Sequence, residues 1–296
     1  MEPNTLDYTI RQEDCGATLG TILRRELGLS RRLMNTLKAM NLIFLNGRTG
    51  YLNRFPLPGD QVRIVLPVDK AATVRPESLP LSILFENVDY LAVDKPAGMT
   101  VHPVRAHQSG TLANAVNAHL AGQGISVPFR PAGRLDRNTS GIVLVCKNRY
   151  AAGAYRRMLD TGVLTKTYLA LVHGSPAHPA GTIRAPIGPV EPRSIQRQIA
   201  PDGKPAVTRY QVLSDQGNHS LVRLVMDTGR THQIRVHMAH LGHPLLGDTL
   251  YGGHREAIHR HALHAHQVIF PDPRTGGQIR IDCSLPEDMV RALSER

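Results

Sequence analysis

The stretch from Gly133 to Asn148 constrains the fold more than any other. Its second half, Ile142 to Cys146, is a short apolar, β-branched run bounded by Gly141 and by Lys147-Asn148. That length and punctuation predict a buried strand rather than a helix. Its first half is polar, basic and rich in turn formers, which predicts a loop delivering side chains into a cleft. Asp136 stands in that loop between Arg134 and Arg137, and nearby positive charge favours the ionised form of a carboxylate. Most Asp residues in turns are surface residues. One set in a basic loop ahead of a buried strand is a candidate catalytic group.

The chain has 296 residues, enough to bury a sizeable core and to form two domains rather than one. It carries 35 Lys plus Arg against 24 Asp plus Glu, a formal net charge of +11. Such an excess points to a polyanionic partner, with nucleic acid first among them. Cys15, Cys146 and Cys283 are far apart and form no CxxC pair, which fits a reducing cytosol. No apolar run approaches the roughly 18 residues that a membrane span needs. Glu2 and Asp7 near the start argue against a signal peptide. The expectation is a soluble, cytoplasmic protein without a membrane partner.

Leu19, Ile22, Leu23 and Leu27 recur at helical spacing, predicting a helix over 18–28 closed by Gly28. Ser30 suits the N-cap of a second helix that buries Leu33, Leu37 and Met40. Arg24, Arg25, Arg31, Arg32 and Lys38 lie on the other sides of these helices. A strand from Leu42 to Leu45, an Asn46-Gly47 turn and a strand from Val62 to Leu66 follow. Residues 67–80 hold three prolines and little periodicity, so they read as a linker with a domain boundary near residue 76.

Beyond it, Ile83–Phe85 and Tyr90–Val93 predict strands around a turn, and Asp94 to Pro103 a loop in which His102 is a structural hydrogen-bonder. Thr111 to Leu120 and Arg149 to Leu159 predict helices, and Leu164 to Gly174 a strand containing Tyr168. Residues 175–218 predict basic hairpins. Leu221 to Val225 predicts a strand leading to a helix capped by Thr231, with Ile234, Met238 and Leu241 buried and Arg235 off that face. Gln278 to Asp282 predicts a last strand, and a short helix follows Pro286. The tract from His254 to His266 invites a metal reading, but no Cys or carboxylate stands at a zinc-motif spacing. Imidazoles near phosphates are the plainer account, and no metal is expected.

Taken together, these strings resemble the RluA-type RNA pseudouridine synthases. Arg134-Leu135-Asp136 with Thr139-Ser140-Gly141 matches that family's active-site string, except that Gly133 stands where the family usually has His. Asp94-Lys95-Pro96, Lys166-Thr167-Tyr168 and Thr228-Gly229-Arg230-Thr231-His232-Gln233-Ile234-Arg235 match further family strings in the family's order. Residues 15 to 66 resemble the small S4 RNA-binding domain.

The resemblance implies an α+β fold: a catalytic domain at 76–296 with a mixed, largely antiparallel sheet, and an S4-like α/β domain with its linker at 1–75. It implies cofactor-free isomerisation of uridine to pseudouridine in structured RNA, with large-subunit ribosomal RNA ahead of transfer RNA, by a monomer. Asp136 is then the residue acting on the sugar, Arg235 its partner and Tyr168 the ring that stacks on uracil. Arg134, Arg137, Arg230 and His232 would contact RNA near the pocket, and Arg24, Arg25, Arg31, Arg32 and Lys38 would face phosphates from the N-terminal domain. Two rivals are an inactive S4-bearing RNA-binding protein, for which only Gly133 speaks, and a nucleoside or glycoside hydrolase. A glycosidase needs a second acid, and no second carboxylate is expected from the matched strings.

Overall fold

The structure, a computed structural model, describes residues 4–69, 72–104, 108–255 and 257–294. Glu2 and residues 70 and 71 of the expected linker lie outside the described residues. The fold is mixed α+β, with a small two-stranded sheet and two main ones among the described residues. The smaller joins β1 (Thr5–Thr9), β2 (Ile43–Leu45), β3 (Arg48–Thr49) and β4 (Gln61–Val65) in the antiparallel order β1-β4-β2-β3. Helices α1 (Leu19–Arg25) and α2 (Arg31–Ala39) cover it, and the side chains of Thr18 and Ser30 cap them. Leu19, Ile22, Leu23, Leu33 and Leu37 pack on Ile43, Val62 and Ile64. The first helix is shorter than its spacing implied, and Met40 is half exposed rather than buried. Strand β1 left little trace in the sequence because only Leu6 of its five residues is buried.

The larger sheet contains β5 (Ser82–Glu86), β6 (Tyr90–Lys95), β7 (Ser140–Cys146), β8 (Thr165–His173) and β9 (Ala180–Arg184). After the small β10 (Ile187–Pro189) and β11 (Arg197–Ile199) hairpin come β12 (Val207–Asp215), β13 (His219–Met226), β14 (Leu263–Pro271) and β15 (Gln278–Asp282). The order is β5-β6-β7-β14-β8-β13-β12-β9, with β15 paired to β14. Only the β7–β14 pair is parallel, as the antiparallel expectation for most of the sheet allows.

Helices α3 (Leu112–Gly122), α4 (Arg149–Asp160), α5 (Gln233–His240) and α6 (Glu287–Ser294) flank it. All seven residues of β7 are buried. Ile142, Leu144 and Cys146 face Ala151, Ala154 and Met158 of α4, while Val143 and Val145 face Leu112, Val116 and Leu120 of α3. Burial on both faces is why this strand reads as an unbroken apolar run.

The smaller sheet is docked, not tethered. Tyr150 of α4 is 1% exposed and belongs to the core of the smaller sheet. Arg274 binds Asp89 at 2.5 Å and also the Thr5 carbonyl and the Asn4 side chain. Arg157 donates to the Gly28 carbonyl. The described residues of the connector form no helix or strand, yet Asn114 and Asn117 hold the carbonyls of Arg75 and Val74 at 2.8 Å. Among the described residues, no helix is long and apolar enough to cross a membrane.

Candidate active site

The loop carrying Asp136 leads into β7, and its exit is set by Gly141. Gly141 has φ +102, and a Cβ there would lie 2.3 Å from the Ala265 carbonyl oxygen on β14. Only glycine lets β7 approach β14 this closely. Register then aligns Gly141 with Ala265, and Ala265 with Tyr168 on β8. The sequence-distant Asp136 loop and Tyr168 are thereby brought to strands on either side of β14.

The side chains set against Asp136 are Arg235 and His232. Arg235 Nη1 donates to Asp136 Oδ2 at 3.2 Å, while Nε and Nη2 donate to the two oxygens of Asp248, each at 2.7 Å. Arg235 is therefore buried and fixed as a fork, not free on a solvent face. Burial works against its charge, but Asp248 and then Asp136 outweigh it and its pKa is raised. Tyr251 lies beneath the guanidinium, 4.9 Å from ring centroid to Cζ.

His232 Nε2 stands 3.6 Å from Asp136 Oδ2. Its Nδ1 meets the Tyr251 hydroxyl at 2.8 Å, and that hydroxyl accepts from the Arg197 amide at 2.9 Å. Burial lowers the His232 pKa against the pull of Asp136.

The cap of α5 differs from expectation. His232, not Thr231, occupies it, in a left-handed conformation with φ 57° and without a side-chain cap. For a residue with a Cβ this costs about 1–2 kcal/mol. Gln233 holds the turn: its Oε1 accepts from Thr228 Oγ1 and the Arg230 amide, and its Nε2 reaches the Val207 carbonyl. Ile234 and Met238 are buried as expected, whereas Leu241 falls past the helix end and is 37% exposed.

The back of the Asp136 loop is held by residues to which sequence reading gave no such role. Lys95 is fully buried, and its ammonium donates to the carbonyls of Pro96, Met99 and Arg137 at 2.8–3.0 Å. Burial, then the Arg260 charge, lowers its pKa to about 7. Arg260 donates to the Asn138 carbonyl at 3.1 Å and grips both oxygens of Asp288 on α6. His261 Nε2 meets Thr139 Oγ1 at 2.8 Å, and burial pushes its pKa down to about 2. His264 bridges Ser140 Oγ and the Cys283 carbonyl. These two buried imidazoles hold the loop and the sheet together, which corrects the phosphate-facing reading for His261 and His264; His254 and His259 are exposed. Among the described residues no group of three His, Cys, Asp or Glu is placed to hold a metal ion.

Asp248 also corrects the expectation of a single carboxylate. Both its oxygens are bound by Arg235, so it orients that side chain rather than offering a free acid. An Asp closing the apolar Leu245-Leu246-Gly247 run was the available signal. Tyr168 is 5% exposed; burial and then the Asp136 charge push its phenol pKa up. His102 packs edge-on against Phe129, with ring centroids 5.0 Å apart. Gly133 has φ +98, and a Cβ there would meet Lys166 Nζ at 2.9 Å. A His at this position would be strained, so the departure from the family string has a local cause.

Of the remaining expected site residues, Arg134 and Arg137 are exposed on the loop, and Arg137 Nε holds the Gly98 carbonyl. Arg230 Nε donates to the Pro205 carbonyl. Arg24, Arg31, Arg32 and Lys38 are exposed on the small-sheet helices, while Arg25 is bound to Glu26 at 2.5 Å and to Asp14.

The site is thus a carboxylate held by a buried arginine, with a buried tyrosine close enough to feel its charge. Residues 89–240 match the RNA pseudouridylate synthase family. The chain is 37% identical over 295 residues to the uncharacterized RNA pseudouridine synthase YlyB of Bacillus subtilis (strain 168), covering 98% of this chain and 97% of that one. It is 34% identical over 248 residues to ribosomal large subunit pseudouridine synthase D of Pasteurella multocida (strain Pm70), covering 83% and 76%. The structure of human RNA pseudouridylate synthase domain containing 1 aligns with TM-score 0.57 and 31% identity over 70% of this chain and 84% of that one. The chain belongs to the RNA pseudouridylate synthase family, and its reaction is isomerisation of uridine to pseudouridine in RNA.

Proposed function

We propose that Asp136 is the catalytic carboxylate and that the substrate is large-subunit ribosomal RNA. The observation that supports the first part is the fork of Arg235, fixed on Asp248 and giving its remaining N–H to Asp136. Isomerisation breaks the bond from C1′ to N1, turns the uracil and joins C5 to C1′, with loss of the C5 proton. Asp136 acts on the sugar, by attack at C1′ or by removing a sugar proton, and either route needs one held carboxylate orientation. Arg235 provides that orientation and stabilises the charge.

Tyr168 offers its ring to the displaced uracil. Its raised pKa keeps the phenol protonated, so it acts by stacking or by passing a proton through its hydroxyl, not as a phenolate base. A uridine in a stem must first leave its stack, at a cost of a few kcal/mol. Arg134, exposed beside Asp136, fills the gap, with Arg137, Arg230 and His232 lining the approach.

Residues 1–75 are an S4-like RNA-binding domain, 76–296 the catalytic domain, and the protein works as a monomer. The basic excess and the exposed Arg24, Arg31, Arg32 and Lys38 support the RNA-binding reading. The name of the Pasteurella relative favours ribosomal RNA as the target. Two measurements test the proposal. Tritium release from C5-labelled uridine RNA should cease with Asp136→Asn, and turnover within tenfold of wild type would overturn that assignment. Pseudouridine mapping in cells with and without the protein should lose a large-subunit ribosomal site; loss confined to transfer RNA would overturn the substrate.

A further inference from the structure

Where the first turn of α2 meets the first turn of α4, the two sheet units leave a cleft of about 390 Å³. Ser30, Arg32 and Leu33 line one side, and Arg130, Arg149 and Gly153 line the other. Arg130 and Arg149 both lie 2.7 Å from the same oxygen, Oδ1 of the buried Asp69. One carboxylate between two guanidiniums leaves positive charge over, and both arginine side chains keep solvent exposure, 21% and 37%. Arg32 is exposed and makes no ion pair among the described residues. The cleft therefore holds three arginines from three segments against a single acid.

We propose that this cleft grips the sugar–phosphate backbone of the RNA substrate, so that one strand is held by both sheet units at once. The inference rests on the reading that residues 1–75 bind RNA, and it places part of that binding at the junction rather than on α2 alone. Guanidinium forks match phosphate oxygens. No aromatic ring lines the cleft, which suits backbone rather than base contact. The adjoining helix N-termini add partial positive charge, but the arginines supply the recognition. Tyr150, Arg274 and Arg157 pin the two units together, so the cleft is a fixed feature and not a chance approach of tethered parts.

Two substitutions probe opposite walls. Arg32→Glu reverses an exposed charge. Gly153→Glu brings a carboxylate in from α4, at a site whose Cβ would meet nothing nearer than Arg157 Nη1 at 3.8 Å. Lys38→Ala, in the last turn of α2, reports on the helix surface away from the cleft. Affinity for a transcript of large-subunit ribosomal RNA is measured over a series of salt concentrations, with thermal melting as a check on folding. Both cleft variants should bind more weakly, and the slope of log affinity against log salt should fall by about 0.7–0.9 for each phosphate that is no longer neutralised. The double variant should be little worse than the weaker single one, because both disrupt the same phosphate grip. Wild-type affinity and slope in a folded Gly153→Glu protein would overturn the cleft. So would an Arg32→Glu defect that Gly153→Glu does not share, since α2 would then act alone. Should Lys38→Ala also bind like wild type alongside both cleft variants, the RNA-binding reading of residues 1–75 would fall as well.

Discussion

The arginines of this chain work in two contrasting settings. Arg235 is 6% exposed, bound by two carboxylates and stacked over Tyr251. Arg24, Arg31 and Arg32 stand in solvent on α1 and α2. A buried guanidinium is tolerated only where its hydrogen bonds are satisfied, so its position is determined to within a bond length and it can fix another group. An exposed one keeps its water and its rotamers; on the proposed reading its use is a sequence-independent pull on phosphate that weakens with salt. On that reading the same residue type gives orientation in one place and affinity in the other, and the two roles should separate in experiment.

The largest effect is expected at the group that Arg235 orients. Asp136→Asn keeps the shape and removes the charge, so the rate of tritium release should drop by about 10⁴-fold, the scale seen when a group essential to chemistry is replaced. RNA affinity should change little. A matching loss of affinity would mean that the carboxylate serves binding and would break the division of roles.

Asp248 comes next. Asp248→Asn leaves Arg235 with a neutral partner that accepts through one oxygen only, and the fork should swing. Loss of a group that orients a site residue costs about 10–100-fold, and it should fall on kcat with KM nearly constant. A merely structural role would instead show as a lower melting temperature with kcat intact in the folded fraction.

How much of this was legible in the sequence follows from range. Asp136, Tyr168 and Arg235 sit in strings whose residue types and order carry the resemblance, and β7 announced itself by an apolar run buried on both faces. Asp248, Lys95, Arg260 and Tyr251 could not be assigned roles, because what each does depends on partners brought close only by the sheet. Arg260 meets Asn138 across 122 positions of sequence. A buried lysine reads as a surface lysine until its three carbonyls are in view. The expectation of a cap at Thr231 failed for a local reason: Gln233 turns its amide back on Thr228 and Arg230, and the helix starts from a left-handed His232. The pinning of the connector by Asn114 and Asn117 has no periodic signature.

The exposed arginines should behave in the opposite way to Asp248. Arg31→Ala combined with Lys38→Ala should lower RNA affinity and reduce the salt slope by up to about 1.8, at about 0.9 for each of two phosphates released. The rate at saturating RNA should stay within a few-fold of wild type. A slope unchanged from wild type would place these residues off the RNA path.

The smallest effect concerns Lys95, a third setting in which a cation is buried with carbonyls and no carboxylate. Its pKa is lowered to about 7 from an ordinary 10.5. Between those values the unfolded chain holds a proton that the folded chain has released. Folding stability should therefore rise with pH from about 7 toward 10.5, since stability increases wherever the unfolded state binds more protons. Lys95→Met removes that contribution together with three hydrogen bonds to the loop, including the one to the Arg137 carbonyl next to Asp136. Urea denaturation at about pH 7 and about pH 9 separates the two consequences. The variant should be less stable than wild type at both values, and the gap should widen at the higher pH. A gap that is constant with pH would mean that the Lys95 ammonium keeps its proton in the fold, held by the three carbonyls as firmly as Arg235 is held by its two carboxylates.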